Sequence, residues 1–378
     1  MLPIHGQVNA EAVVAEKLPL AQLQQPAAVV QHMTAQDLAE TSFGESPTQR
    51  VLNTIPNWPQ FRGPNASGVA VSDKPPVHFG PDSKLIWRTP VKPGASSPCI
   101  WNDRIFLTTA RKDQLETVCL NRLSGQKLWS AQVPARPVKH MHRSNSPATP
   151  TPTTDGRSVY VYISSYGLLA YDFNGLERWR KPLPVPDNPY GAGSSPVLIG
   201  GKLIVSCEDD GADSCLLAVS PDDGRTIWRA DRRGLSSTYS TPIQWQHHGK
   251  NELMHASALQ LVALDPKTGE RRWSSGGLEF YSQVATPVLG EGMIYVMSFS
   301  MGEKRDPSFA KFCAQCDADK DGRISEDEMP RYLGVWFGTY DKDLNGFVTA
   351  DEWETLYKLS LKSDHGIMAI RPGDSGDV

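Results

Sequence analysis

A tryptophan that closes a glycine-containing turn recurs four times in this chain, and this repeat limits the fold more than any other feature. The four segments are Leu123–Trp129, Phe173–Trp179, Asp222–Trp228 and Lys267–Trp273, each with glycine at its third position. The tryptophans are 50, 49 and 45 residues apart. A Ser-Pro or Thr-Pro pair recurs with a similar period, at Pro98, Pro152, Pro196, Pro242 and Pro287. Two independent markers with one period predict a repeat architecture.

Each repeat has the composition of a small antiparallel sheet. Strand-like runs follow the prolines, at Arg104–Thr109, Val159–Tyr162, Lys202–Val205 and Met293–Val296. A second strand, the glycine turn and the tryptophan come next, and glycine permits the positive φ that such a turn requires. A period of 45–50 residues with about four strands is typical of a propeller blade, whereas solenoid units are usually shorter. We therefore predict a mainly β fold, a β-propeller of four-stranded blades in which each tryptophan packs against the next blade.

The repeat also resembles a known family. Ala263-x-Asp265-x-x-Thr268-Gly269-x-x-x-Trp273 is similar to the tryptophan-docking motif of pyrrolo-quinoline-quinone-like (PQQ-like) repeat propellers, and Trp58-Pro-Gln-Phe-Arg-Gly-Pro64 resembles an opening signature of bacterial members. The similarity extends from about Trp58 to Met301. The family includes both quinoprotein dehydrogenases and non-catalytic scaffolding propellers of the bacterial envelope. The resemblance thus implies the fold but leaves both function classes open.

Two acidic segments after the last complete repeat have the spacing of EF-hand loops. They run from Asp317 to Glu328 and from Asp341 to Glu352, and a hard divalent cation needs six to eight oxygen ligands, as such loops supply. The predicted side-chain ligands are Asp317, Asp319, Asp321, Ser325 and Glu328 in the first loop, and Asp341, Asp343, Asn345, Thr349 and Glu352 in the second. Arg323 and Phe347 are predicted to contribute backbone carbonyls, and Gly322 and Gly346 the turns. We predict two Ca²⁺ sites.

The residues that flank these loops predict one small helical core. Phe309, Phe312, Cys313 and Cys316 precede the first loop at the same offsets at which Leu333, Trp336, Phe337 and Tyr340 precede the second. Ile324 and Val348, at position 8, are expected to pair the loops. The connection between the loops is short and resembles that of tandem EF-hands in bacterial envelope proteins, which favours a structural role for calcium.

The repeat register places this module inside a blade. Met293–Ser298 appears where a strand is expected, but its partner resumes only at Gly366–Arg371. We therefore predict a leader of poor order over residues 1–55, propeller blades over 56–301, the EF-hand insertion over 302–365 and the resumed blade over 366–378. The fifth repeat lacks its tryptophan, so the chain is expected to form a partial ring that further blades complete.

Charge and cysteine content exclude several classes of protein. The net charge is −4, yet residues 317–354 hold 11 acidic and 4 basic residues, so the anionic excess lies in the predicted calcium module. The chain shows no basic stripe and no apolar run of membrane-spanning length, which argues against a nucleic-acid partner and a membrane span. Six cysteines are too few for a disulfide scaffold, although Cys207 and Cys215 are able to pair across a hairpin in an oxidising compartment.

Two hypotheses about function remain at this point. The first is a calcium-binding propeller that serves as a binding or assembly platform in the bacterial cell envelope, with another envelope protein or a small ligand on its face. The second is a quinone-dependent oxidoreductase whose site is completed outside this chain; quinoprotein dehydrogenases typically have adjacent cysteines near the quinone, and no two cysteines are adjacent here. No Walker loop, nucleophile elbow or zinc-protease motif is present, so no catalytic residue is predicted. A periplasmic or extracellular location is implied by the resemblance, although Met1–Arg50 shows no signal peptide.

Overall fold

The computed structural model describes residues 56–70, 77–111, 114–134, 141–186, 188, 190–209, 213–232, 237–279, 283–298, 307–331, 333–334 and 337–371. The described part of the chain is mainly β, and four of its sheets have four antiparallel strands in sequential order. The predicted leader over residues 1–55 lies outside this part, as does Trp336 of the predicted helical core.

The repeats form consecutive sheets, which we number in chain order. Sheet 1 contains β1 (Cys99–Trp101), β2 (Arg104–Arg111), β3 (Gln114–Asn121) and β4 (Lys127–Val133), and sheet 2 contains β5 (Thr153–Thr154), β6 (Ser158–Ile163), β7 (Gly167–Asp172) and β8 (Glu177–Pro182). Sheet 3 contains β9 (Val197–Ile199), β10 (Lys202–Cys207), β11 (Cys215–Val219) and β12 (Thr226–Asp231), and sheet 4 contains β13 (Ile243–His247), β14 (Lys250–Ser257), β15 (Gln260–Leu264) and β16 (Arg271–Gly276). This arrangement confirms the predicted mainly β architecture and is consistent with propeller blades.

Three of the four repeat tryptophans dock on the turn of the following sheet, as predicted, whereas the Trp273 indole Nε1 donates to Glu252 of its own sheet 4, at 3.2 Å. The indole Nε1 of Trp129 donates to the Phe173 carbonyl at 2.9 Å, that of Trp179 to Pro221 at 2.8 Å and that of Trp228 to Pro266 at 3.1 Å. The indole ring lies against the turn glycine, so that a Cβ built on Gly175, Gly224 or Gly269 would come within 2.6–2.7 Å of ring atoms. Only a glycine turn admits the ring at this distance, and this explains why the two residues recur together.

The residue before each repeat proline links the sheets through its hydroxyl group. The backbone N–H of Ser97 donates to Thr151 Oγ1 at 3.1 Å, that of Thr151 to Ser195 Oγ at 3.0 Å, and that of Ser195 to Thr241 Oγ1 at 3.1 Å. Thr241 donates to Thr286 Oγ1 at 3.3 Å. The Ser-Pro and Thr-Pro pairs of the sequence therefore mark the positions at which hydrogen bonds join one sheet to the next.

A further tryptophan, which the repeat search missed, docks in the same way. The indole Nε1 of Trp87 donates to the Arg122 carbonyl at 3.0 Å, and its ring lies against Gly125. The signature segment that begins at Trp58 pairs with β1, since Trp58 and Ile100 exchange two backbone hydrogen bonds of 2.8 and 2.7 Å. This segment continues through a short 3-10 helix, Pro64–Ala66, whose Ala66 packs against sheet 4.

Sheet 5 consists of β17 (Val288–Gly290), β18 (Met293–Met297) and β21 (Ile367–Ile370). Its register pairs Val296 with Met368 and Ile294 with Ile370, which confirms that the strand partner predicted for Met293–Ser298 resumes at Gly366–Arg371. Between β18 and β21 lie α1 (Phe309–Cys316), β19 (Ile324–Ser325), α2 (Phe337–Tyr340), β20 (Phe347–Val348) and α3 (Ala350–Leu361).

A separate hydrophobic core joins the helices to sheet 4. Trp353 is buried and stacks on Phe312 and Tyr340, with ring centroids 4.2 and 4.6 Å apart. Leu259, in the turn between β14 and β15, inserts into this core, and Cys313 and Cys316 pack at its border. The helical segment is thus anchored on the propeller sheets by one buried side chain of a β-turn.

Candidate metal centre

The two acidic loops lie back to back across a two-residue ladder. Their position-8 residues, Ile324 and Val348, face each other in the β19–β20 pair, and both are fully buried, as the sequence predicts. Asp317 follows the last residue of α1, and Asp341 follows the last residue of α2. The helix ends and the ladder therefore fix both ends of each loop.

Side-chain to backbone hydrogen bonds curl the first loop around its own carboxylates. Asp317 Oδ2 accepts from the Gly322 N–H at 2.9 Å, and Asp321 Oδ1 accepts from the Arg323 N–H at 2.8 Å. Glu328 closes the loop, because its Oε1 accepts from the Ala318 N–H at 2.8 Å. Gly322 takes the positive φ of 81° that this turn needs.

The second loop repeats this pattern residue for residue. Asp341 Oδ2 accepts from the Gly346 N–H at 2.9 Å, and Gly346 has a φ of 87°. Glu352 Oε1 accepts from the Lys342 N–H at 2.9 Å, while its Oε2 accepts from the Thr349 hydroxyl at 2.6 Å as part of a capping box on α3. Two loops of different sequence that adopt one geometry indicate that the spacing, not the individual residues, determines the fold of this centre.

Each loop brings three carboxylates together. Asp317, Asp319 and Asp321 offer oxygen atoms that all lie within 4.8 Å of one another, and Asp341, Asp343 and Glu352 do the same. Both triads are able to hold an ion. In the first loop Glu328 stands outside the triad, and its carboxylate bonds to Ala318 and Ser325.

The electrostatics of the second triad are unfavourable without a cation. Burial raises the pKa of Asp341 above its ordinary value, and the Glu352 and Asp343 carboxylates add to this effect against the hydrogen bonds from Gly346 and Asn345. In the first triad, Asp317 Oδ1 is buried without a hydrogen-bond partner among the described residues. Buried acceptor atoms and clustered negative charges are the conditions that a hard cation relieves.

The remaining predicted ligands occupy the same loops. Asn345 Oδ1 accepts from the Phe347 N–H at 2.9 Å, and the Ser325 hydroxyl donates to Glu328 at 2.8 Å. The Arg323 guanidinium bonds to Asp321 at 2.6 Å and lies 3.9 Å above the Phe347 ring, so the two loops also touch through their position-7 side chains. The structure thus brings three of the predicted carboxylates together in each loop and places the other predicted residues elsewhere in the same loops.

A second polar cluster, which the sequence analysis did not find, is buried between sheets 3 and 4. Glu208, Arg232 and His255 are 1%, 6% and 1% exposed. Arg232 Nη1 donates to Glu208 Oε1 at 2.6 Å and to His255 Nε2, and Arg232 Nη2 donates to Ser257 Oγ at 3.0 Å. Because a guanidinium only donates, His255 Nε2 accepts and the ring proton resides on Nδ1. These residues are separated by more than 20 positions in sequence and follow no local motif, so only the sheet register unites them.

The described helices include none with the length and apolar character to cross a membrane. The sequence analysis predicted no membrane span from the same property, the length of the apolar runs.

Comparison with known proteins identifies the repeat. A family model described as outer membrane protein assembly factor BamB matches residues 69–189 and 116–303, which together cover more than half of the 378 residues. No curated protein is significantly similar in sequence.

Three solved structures have a chain course similar to part of this chain. BamB from Moraxella catarrhalis is 18% identical, with a TM-score of 0.40 over 52% of this chain and 55% of that one. A europium-containing methanol dehydrogenase is 14% identical, with a TM-score of 0.45 over 57% and 56%. Quinohemoprotein alcohol dehydrogenase from Comamonas testosteroni is 12% identical, with a TM-score of 0.49 over 69% and 51%. The chain therefore spans about half the length of these structures.

Proposed function

Since the chain belongs to the family of outer membrane protein assembly factor BamB, we propose that it is a PQQ-like repeat propeller that serves as a binding or assembly platform in the bacterial cell envelope and carries a calcium-binding EF-hand pair. A periplasmic or extracellular location and a protein partner or small ligand on the propeller are parts of this proposal. The matching family, described as an outer membrane protein assembly factor, supports the envelope setting. The two acidic loops support the calcium part.

The observation that carries the calcium proposal is the duplicated carboxylate geometry. Two oxygen-only triads with the same loop hydrogen bonds suit Ca²⁺, which accepts irregular sets of carboxylate and carbonyl oxygens, better than Zn²⁺, which prefers nitrogen and sulfur. The residues that would hold the ions are Asp317, Asp319, Asp321, Arg323, Ser325 and Glu328 in one loop, and Asp341, Asp343, Asn345, Phe347, Thr349 and Glu352 in the other.

The packing of the helices supports a structural role for the ions. Trp353 fills the core between α1 and α2, and its Nε1 donates to the Pro307 carbonyl at 2.9 Å. The helices pack around this buried tryptophan, and Leu259 of sheet 4 enters the same core. Calcium would then hold the loops and the anchoring point on sheet 4 rather than expose a binding surface.

Isothermal titration of the purified chain with Ca²⁺ tests this proposal, and two binding sites are expected. Glu328→Gln and Glu352→Gln remove one carboxylate oxygen from each loop, and each variant should lose one site or weaken it at least tenfold. Glu326→Gln, which changes an exposed residue of the same segment, is the matched control and should retain both sites. Unchanged titrations of both ligand variants would contradict the calcium assignment.

The role of the ions can be separated from their binding. Exposure of hydrophobic surface, measured with a fluorescent dye, should not increase when Ca²⁺ is added, because the core is already closed. An increase, together with Ca²⁺-dependent binding of helical target peptides, would contradict the structural role.

The platform proposal is tested against the oxidoreductase alternative. The chain is incubated with pyrroloquinoline quinone and Ca²⁺ and assayed for dye-linked oxidation of alcohols, and no turnover is expected. Measurable turnover that depends on the quinone would contradict the platform proposal. Cell fractionation of the source bacterium should place the protein with the envelope.

A further inference from the structure

Two cysteines face each other at the end of a strand pair in sheet 3. Cys207 is the last residue of β10 and Cys215 the first residue of β11, and the antiparallel register places them directly opposite. The other four cysteines lie at positions 99, 119, 313 and 316, elsewhere in the fold.

This arrangement matches what a disulfide requires. Directly opposed residues of an antiparallel pair have Cβ atoms about 4.5–5.5 Å apart and point to the same face, while a disulfide needs about 3.5–4.5 Å between Cβ atoms. The remaining difference in Cβ–Cβ distance is small. Cys207 and Cys215 are the last pair of the β10–β11 ladder, so further strand pairing holds them from one direction only. Rotation of the two side chains, with a small approach of the strand ends, would bring the sulfur atoms to bonding distance.

The pair is accessible from one side. Cys215 is buried and Cys207 is partly exposed, and both border a cavity of about 270 Å³. Lys181 and Arg229 line this cavity together with the acidic residues Glu208, Asp209 and Asp213. The neighbouring Cys207 thiol, aided by the Arg229 guanidinium, lowers the pKa of the Cys215 thiol below its ordinary value, which favours the thiolate.

We propose that Cys207 and Cys215 are an oxidation site that forms an intramolecular disulfide by exchange with an external disulfide. The Cys215 thiolate attacks one sulfur of the external disulfide, forms a mixed disulfide and releases one thiol. The Cys207 sulfur then attacks the Cys215 sulfur and displaces the second thiol. The protein loses two protons and two electrons, and the external disulfide gains both as two thiols.

The bond would act on the buried polar cluster, because Glu208 is the next residue after Cys207. The Glu208 carboxylate accepts hydrogen bonds from Arg232 at 2.6 Å and from the Thr238 N–H at 3.0 Å. A disulfide beside Glu208 limits the motion of the β10–β11 hairpin that carries this carboxylate. Oxidation is therefore expected to stabilise the buried cluster as well as the hairpin.

Thiol counting tests the proposal on the full chain. The protein is purified under reducing conditions, treated with oxidised glutathione, denatured and alkylated, and its mass is measured. The number of alkylated cysteines should fall from six to four, with no retained glutathione, and peptide mapping should recover the Cys207 and Cys215 peptides as one linked species. The oxidised protein should unfold about 5 °C above the reduced protein.

Variants distinguish a disulfide between Cys207 and Cys215 from one between Cys313 and Cys316. The double variant Cys313→Ser with Cys316→Ser should still lose two thiols on oxidation, because these residues lie on α1, away from sheet 3. Cys207→Ser and Cys215→Ser should each form no internal disulfide and show no rise in unfolding temperature. The proposal is wrong if six thiols remain in the wild-type chain, if glutathione stays attached to Cys207 or Cys215, or if the linked peptide contains Cys313 and Cys316.

Discussion

At the scale of single residues, the docked tryptophans depend on the absence of a Cβ atom one sheet away. The Trp179 indole lies on Gly224, which has a φ of 72°, and a Cβ at Gly224 would lie 2.7 Å from Trp179 Cε3. Gly249 has a nearly identical φ of 73°, but no atom lies within 4 Å of its Cβ position. The two glycines therefore separate the cost of the backbone conformation from the cost of displacing the ring.

Gly224→Ala is expected to destabilise the protein far more than Gly249→Ala. Both variants carry the strain of a positive φ, about 1 kcal/mol, but only Gly224→Ala also displaces the indole, for a total of about 3 kcal/mol. Urea unfolding, followed by tryptophan fluorescence, measures both changes in the free energy of unfolding. Equal losses in the two variants would show that the tryptophan contact contributes nothing.

The buried cluster of Glu208, Arg232 and His255 predicts that the stability of the protein depends on pH. Burial, together with the Arg232 guanidinium, lowers the pKa of His255 to about 4. Burial raises the pKa of Glu208, but Arg232 and His255 lower it more, to about 2. In the unfolded chain both groups return to their ordinary pKa values, near 6.5 for histidine and 4.5 for glutamate.

The two groups act in different pH windows. An unfolded His255 binds a proton below pH 6.5 that the folded protein does not bind until about pH 4, so stability falls as the pH drops through this range. Glu208 contributes stability above pH 4.5 that is lost as the pH falls from 4.5 towards 2. Of these two groups, His255 therefore supplies nearly all of the change between pH 7 and pH 5.

Between pH 7 and pH 5 the free energy of unfolding should fall by about 2 kcal/mol through His255. His255→Gln should remove this part of the pH dependence, even if the variant is less stable at pH 7. His365→Gln, which changes a largely exposed histidine, is the control and should retain it. Urea unfolding at several pH values makes the comparison, and a slope unaffected by His255→Gln would contradict the assigned tautomer and pKa.

At the scale of secondary-structure elements, the hydrogen bonds of the Ser or Thr residue before each repeat proline hold neighbouring sheets in register at their inner strands. Thr241 is buried, its Oγ1 accepts from the Ser195 N–H, and its own N–H donates to Thr286. Each Ser or Thr hydroxyl thus pairs a backbone group that would otherwise be buried without a partner.

Thr241→Val removes one hydroxyl from this chain and keeps the shape of the side chain. The Ser195 N–H then loses its acceptor, and the protein should lose about 1–3 kcal/mol of stability. Thr226→Val changes an exposed threonine of β12 and should leave stability within about 0.5 kcal/mol. Urea unfolding again gives the values, and similar values for the two variants would mean that another group takes over the hydrogen bond.

The sequence predicted the features that arise within one repeat. The packing of Trp129 against the next sheet was expected because a large ring beside a turn has few other uses, although its contact with Gly175 was not. The Ile324–Val348 pair was expected because both loops have the same spacing. The role of the Ser/Thr hydroxyls was missed, although the marker was visible, because a donor 44–54 residues away has no local signature. The Glu208 cluster was missed for the same reason, since its partners come from different sheets.

At the scale of the whole molecule, the outer edges of sheets 1 to 4 differ from the edge of sheet 5. The outermost strands β4, β8, β12 and β16 each carry basic side chains, among them Lys127, Arg178, Arg180, Lys181, Arg229, Arg271 and Arg272. Charged residues on an edge strand discourage pairing with other chains. β21, which is the edge of sheet 5 among the described residues, has the sequence Ile-Met-Ala-Ile and carries no charge.

The composition of β21 is thus that of an inner strand, and no other strand of the described residues pairs with its second edge. Ile367 is 70% exposed, while Ile370 is buried against sheet 4 and Met368 packs at the border of the same core. An apolar edge of this kind is a template for a further strand.

The 378-residue chain should consequently self-associate as its concentration rises, and Ile367→Lys should suppress this association. A lysine at an exposed edge position adds a charge that a paired strand would have to bury, so the change acts on association more than on folding. Ile227→Lys, on the exposed face of the already charged strand β12, is the control and should self-associate like the unmodified chain. Light scattering of chromatographed samples over a range of concentrations measures the mass. A monomer at every concentration, or equal association of the Ile367→Lys variant and the unmodified chain, would show that β21 is not the edge through which copies pair.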